Sequence, residues 1–520
     1  MWGGRYRVRM PSAPATRNDE PAHSDRLIAG ASELIGGPLG DHAVRSPGGG
    51  SGSRVLTPVR VVLALIFLTM AVHWVQKSPC RDGQWTNLSQ YKYMCYTDVL
   101  ALYYAEKLSE GAVPYKDHPV EYPVLTGAFM GAIGLPVHDV AQRFPGMNQA
   151  QVFYDLNALV LGAFAVATAA ALLALRRRRP WDAALFAVAP AIFVSGTVNW
   201  DMFVIGLTAL FMVAWARRKP VLAGVLLGLA VAAKFYPLVL LGPLLLLALR
   251  SGRWRAALTT TGLAAATWLA INLPVALSWR EGWLRFFQLN SERGIDWGTF
   301  WYIGAHLPMG RGKYGLSWFT ALDAEPGHST LNALYLGLFV VACGAIAALA
   351  LLAKRRPRFA QLAFLVVAAF LVVGKVWSQQ YVLWLIPLAV LARPKWGAFL
   401  AWQLAELAYF VAFYGELMGA SGRNVFPEWV FVFASSARLI TVCVLMGYVV
   451  SEILRPERDA VRRTYDDDPD GGEFDGAPDT GIVARLRSMV LRPVPPGAGA
   501  SASTGAEAGA PDQRIVNTTA

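Results

Sequence analysis

The chain has 520 residues, of which 55% are hydrophobic and 16% charged, with a formal net charge of +12 and a mean hydropathy of +0.38. Soluble domains carry about 25% charged residues, so the composition excludes a string of soluble domains and places the chain in a bilayer. The basic residues sit in short clusters between apolar runs of membrane-spanning size, which makes them orientation signals and excludes a nucleic-acid-binding patch.

Residues 1–55 are rich in Gly, Ser, Pro and Arg and end in the run Gly48–Gly52. They cannot bury enough apolar surface to offset the entropy of ordering, and are expected to form a disordered cytoplasmic segment. Seven basic clusters then divide the chain, at Arg54 and Arg60, Arg176–Arg179, Arg217–Lys219, Arg250–Arg255, Lys354–Arg358, Arg393 with Lys395, and Arg455 with Arg458. Positive charge near span ends stays cytoplasmic, so each of the six intervals is one outward hairpin.

An all-α bundle of about 12 (11 to 13) transmembrane helices follows, within residues 56–454. The expected spans are Val59–Gln76, Gln151–Leu175, Trp181–Val198, Asp201–Ala216, Pro220–Ala233, Phe235–Leu249, Ala256–Leu277, Leu331–Ala353, Phe359–Gly374, Gln379–Ala392, Trp396–Phe413 and Val430–Ser451. The apolar segment Tyr122–Pro136 reads as a re-entrant or surface-lying piece, because a full crossing there would put Arg176–Arg179 outside. Residues 455–520, with the acidic run Asp466–Asp470, are expected to form a disordered cytoplasmic tail. Both termini then face the cytoplasm.

The hairpin tips become extracytoplasmic loops, long at about 77–150, 278–330 and 414–429. Trp279, Trp283, Trp297 and Trp301 suit helices lying in the interface. Three other tips are short. The interval from Lys219 to Arg250 makes two crossings with about thirty residues, against roughly forty for two full spans, so Lys234, Phe235, Tyr236 and Pro237 are expected below the outer surface. Lys375, Gln379 and Gln380 occupy a second such tip, and Asn199, Trp200 and Asp201 a third. Ionisable groups at that depth are functional candidates, although capping broken helix ends would also account for them. Cations there suit a lipid-linked phosphate.

The first loop holds the densest polar run, Tyr91–Asp98 followed by Val113–Pro123. Asp98 precedes an amphipathic stretch and could serve simply as a helix N-cap. Asp117, His118 and Glu121 could look like a metal cluster, but no second spacing pattern supports one, so no metal is assigned and a divalent ion is left open. Cys80 and Cys95 share this loop and are candidates for a disulfide, whereas Cys343 and Cys443 fall within spans.

The order Tyr96-Thr97-Asp98, Pro114-Tyr115, Glu121-Tyr122-Pro123, Asn199-Trp200-Asp201 and Leu222–Pro237 resembles glycosyltransferase family 87, the polyprenol-phosphate-mannose-dependent mannosyltransferases with the GT-C fold. The resemblance covers roughly Val59–Leu249. It implies a GT-C-like bundle in the plasma membrane that transfers a hexose from a polyprenyl-phosphate sugar to a hydroxyl of a glycolipid, polysaccharide or protein on the outer face. It also implies Asp98 as the general base, with His306 as the nearest match to a later-loop histidine of the family. Lys234 and Lys375 would then neutralise phosphate, while Asp201, Glu121, Tyr122, Tyr236, Gln379 and Gln380 would bind or orient substrate. A transporter or flippase of a lipid-linked sugar, or an inactive scaffold for envelope assembly, would use the same cations without breaking a bond.

Overall fold

The computed structural model of the protein describes residues 25–28, 57–307, 315–481 and 483. The expectation for residues 1–55 lies outside these apart from 25–28, as does the tail beyond 483. Among the described residues every regular element is helical, and the chain is a polytopic helical membrane protein.

Seven helices are long and apolar enough to cross a membrane, and five shorter apolar helices lie among them. Eleven of the twelve expected spans are among these helices. The twelfth, Trp181–Val198, is broken into Pro180–Ala183, Ala184–Ala187 and Pro190–Ser195. Pro190 is the cause, because it offers no N–H to the preceding turn and holds Ala189 extended at ψ 121°.

The seventh long helix, Val124–Arg143, covers the segment read from sequence as surface-lying. Its length would let it cross, yet both ends meet the same end of the bundle. Near its start, Thr126 donates to the Ala233 carbonyl (2.7 Å), where the Pro220–Ala233 helix stops. Its last turn runs within a few residues into the Gln149–Leu175 helix, whose N-cap Asn148 donates to the Asp82 carbonyl (3.0 Å). Asp82 follows shortly after the Pro58–Gln76 helix ends.

The opposite end gathers the basic clusters, and here the tail expectation is corrected. Residues 456–481 form short helices and turns that pack beneath the bundle. Asp470 takes a bidentate bond from Arg176 (2.5 and 2.6 Å), Asp459 one from Arg358 (2.7 and 3.2 Å), and Asp479 one from Arg250 (3.0 and 2.9 Å). Phe474 is fully buried and its ring centroid lies 5.0 Å from that of Trp215. The acidic run does not repel itself into disorder, because Asp467 and Asp470 meet Arg356 and Arg176 beside helix ends and Asp468 accepts from the Phe359 amide (2.7 Å). Arg176, Arg250 and Arg358 were read from sequence only as topology signals.

Candidate functional site

At the end away from the arginines, the chain between the first two long helices folds over the bundle. A disulfide joins Cys80 to Cys95 and closes a loop of sequence separation 15. It fixes the chain just before Asp98 and is worth about 3 kcal/mol in the chain-entropy account.

Thr97, not Asp98, caps the Asp98–Ala105 helix: its hydroxyl accepts from the Val99 amide (3.2 Å) and donates to the Thr197 carbonyl (2.8 Å). The Asp98 carboxylate is therefore not used as a cap. It faces a cavity of about 400 Å³ whose walls include Tyr96, Glu121, Tyr122, Lys234, Arg293, Asp296, Gln379, Gln380 and Tyr381. Asn199 donates to Asp98 (2.8 Å) and also bonds the Tyr122 hydroxyl (2.5 Å), while Gln380 reaches the same Asp98 oxygen at 3.3 Å. Two distant segments thus converge on one carboxylate.

Burial pushes the Asp98 carboxyl above the ordinary range, while bonds from Asn199 and Tyr96 and the charge of Lys234 draw it back. Burial likewise raises Glu121, with Asp98 adding to the effect. Tyr115 shapes this side of the site: its hydroxyl donates to the Tyr122 and Pro123 carbonyls (3.0 and 2.9 Å). Only glycine fits opposite it, since a Cβ on Gly127 would lie 2.1 Å from that hydroxyl.

Lys234 ends the Pro220–Ala233 helix with its ammonium in the cavity wall, among the rings of Tyr381, Trp384 and Tyr122 (5.0, 5.3 and 5.7 Å). Asp201 stands behind it, fully buried, with Oδ1 bonded to Lys234 (2.7 Å) and to Trp384 (2.5 Å). Its position orients the lysine and does not line the cavity. Tyr236 lies deeper, stacked on Trp384 at 4.4 Å.

Besides Asp201 and Tyr236, two further sequence candidates do not line the cavity. Lys375 donates to the carbonyls of Arg293 (2.5 Å) and Ser291 (3.3 Å), so it fastens the 291–296 loop instead of facing the cavity. His306 stacks on Tyr302 (3.9 Å) with Nε2 3.8 Å from Glu428, and is not among the cavity's lining residues. Asp117 accepts from the Val113 amide (3.0 Å) and His118 lies 3.6 Å from Glu106. Among the described residues, no three such side chains gather at metal-ligand spacing.

Arg293 and Asp296 are the residues that sequence reasoning missed. Both line the cavity, and among the described residues the Arg293 guanidinium makes no hydrogen bond. The signal available was Ser-Glu-Arg-Gly-Ile-Asp, an ionic hexapeptide inside an aromatic-rich loop.

Two comparisons bear on identity. No curated protein matches the chain. The model of glycosyltransferase family 87 matches residues 144–375, a stretch that holds Asn199, Asp201, Lys234, Arg293 and His306, while Asp98, Glu121 and Tyr122 precede it and Gln379 and Gln380 follow it. That match, together with a bundle of membrane-spanning helices around a polar cavity, makes the chain similar to glycosyltransferase family 87 over residues 144–375 and supports its reading as a membrane glycosyltransferase.

Proposed function

We propose that the protein moves a hexose, mannose by its family resemblance, from a polyprenyl-phosphate sugar to a hydroxyl acceptor on the extracytoplasmic face of the plasma membrane, with both termini in the cytoplasm. The observation that carries this is one cavity holding a carboxylate freed from capping, Asp98, together with two cations, Lys234 and Arg293.

The chemistry is an inverting displacement. Asp98 takes the proton of the acceptor hydroxyl as its oxygen attacks the anomeric carbon. The bond from that carbon to the phosphate oxygen breaks, and polyprenyl phosphate leaves with the electron pair, its charge met by Arg293 and Lys234. Glu121 and Tyr122 hold the acceptor side, and Gln379 and Gln380 bond sugar hydroxyls or keep Asp98 aligned. The acceptor is a glycolipid, polysaccharide or protein hydroxyl. The arginine end favours transfer over transport: buried ion pairs such as Arg176–Asp470 (2.5 Å) occupy the place where an alternating-access path would open.

The test is sugar transfer in proteoliposomes from radiolabelled polyprenyl-phosphate mannose to a membrane-lipid extract. Label in a new product supports the proposal, whereas label crossing the bilayer without a product would identify a flippase, and neither result would support a scaffold. Arg293→Ala is expected to raise the donor KM about 10- to 100-fold, the worth of a charge-assisted hydrogen bond. Lys234→Ala should do the same and also lower stability, because it leaves the buried Asp201 without its partner. Steady-state kinetics with donor and acceptor varied separately check this, and a defect confined to the acceptor would count against both roles.

A further inference from the structure

We infer that Arg438, which lines no part of the cavity, is a positioning residue for the Gln379–Gln380 turn and, through it, for Asp98. The inference rests on the reading of Asp98 given above.

Arg438 lies inside the Glu428–Leu454 helix and is fully buried. Its guanidinium is sandwiched between the rings of Tyr409 and Trp377 (4.1 and 4.2 Å). Nη1 donates to the Trp377 carbonyl (3.2 Å) and Nη2 to the Ser378 carbonyl (3.3 Å). Nε lies 3.2 Å from Glu406, which also accepts from Trp402 (2.9 Å). An ionised pair within the bundle is costly, and a well-packed apolar pair would stabilise it as well or better. Its presence is therefore better explained by what it holds.

What it holds is the break between two helices. Phe359–Val373 is capped at Gly374, and residues 375–378 run without helical hydrogen bonding until the turn Gln379–Tyr381. Carbonyls in such a break need outside donors. A guanidinium can grip two successive carbonyls and face a carboxylate at once, which an ammonium cannot do with the same geometry. The far side of the break is held by the 291–296 loop, where the Asp296 amide donates to the Lys375 carbonyl (2.9 Å) and Lys375 donates to the Arg293 carbonyl (2.5 Å). The turn is thus clamped between loop and bundle. Its next residues are Gln379, in the cavity wall, and Gln380, 3.3 Å from Asp98.

Arg438→Lys keeps the charge opposite Glu406 and loses the two-carbonyl grip. It is expected to lower kcat about tenfold with the donor KM changed less than about twofold, the signature of an interaction made in the transition state. Gln380→Ala is expected to lower kcat similarly in the wild type and to add nothing in the Arg438→Lys background, because the two act on one alignment. Amide hydrogen exchange in nanodiscs needs no substrate, and should speed up at least tenfold across residues 375–381 in Arg438→Lys with the rest of the bundle unchanged. Additive losses in the cycle, or unchanged exchange in that turn, would overturn the inference. A wild type silent with the mannosyl donor would count against the proposed function, and exchange alone would then decide the role of Arg438.

Discussion

Asp98→Asn is expected to cut sugar transfer about 10²- to 10⁴-fold, the usual contribution of a positioned base, while leaving expression and thermal unfolding essentially as in the wild type. The substitution is isosteric, and the Asn199 amide can still donate to the remaining carbonyl oxygen in place of its present 2.8 Å bond to Asp98. Thr97 continues to cap the helix, so the fold does not depend on the charge. Only the ability to accept a proton is removed. Product formed by wild type and mutant in the same proteoliposomes measures it, and equal turnover would remove Asp98 as the base.

The pH profile follows from the same surroundings. Burial raises the Asp98 pKa above that of an exposed aspartate, about 3.9. The base is active when ionised, so activity should fall on the acid side at a higher pH than an exposed carboxylate would give. The Asn199 bond favours the charged form and lowers the pKa. Asn199→Ala should therefore move the acid limb of kcat/KM further towards neutral pH, and a shift towards acid would contradict the assignment.

The bundle was legible because apolar runs and helix-end arginines are local signals that each span carries by itself. The cavity was legible in part: Asp98, Lys234 and Gln380 stood out as polar residues at short tips or in a dense loop, and all three meet there. Lys375 stood out for the same reason and was misread, because tip position does not say whether a lysine faces a cavity or a neighbouring carbonyl. His306 rested on family likeness alone, without a local motif. Arg293 went unnoticed because its role depends on the 291–296 loop folding back over a turn some eighty residues later, a pairing that no periodicity records. The acidic tail was misread for a related reason: composition counts charges within a segment, and the partners of these carboxylates lie up to 294 residues away.

That tail supports the second large effect, Asp470→Asn. Asp470 and Arg176 are both fully buried, and Arg176 also donates to the Leu391 carbonyl (2.7 Å), tying the Gln149–Leu175 helix to the Val382–Ala392 helix. Removing one partner of such a pair leaves an uncompensated buried charge, a loss of about 3–5 kcal/mol. Asp466 is exposed, with no side-chain partner among the described residues, so Asp466→Asn should change stability by less than about 0.5 kcal/mol although it removes the same charge from the same run. Thermal unfolding of the two variants in one detergent separates the possibilities. A large loss for Asp470→Asn alone means that the carboxylates act as individual partners of helix ends, and equal small losses would mean that the segment lies loosely against the bundle. The first result also bears on transfer, because Val382–Ala392 follows directly on the turn that carries Gln380. Loosening its far end should then lower turnover even though Asp470 lies at the opposite end of the bundle from Asp98.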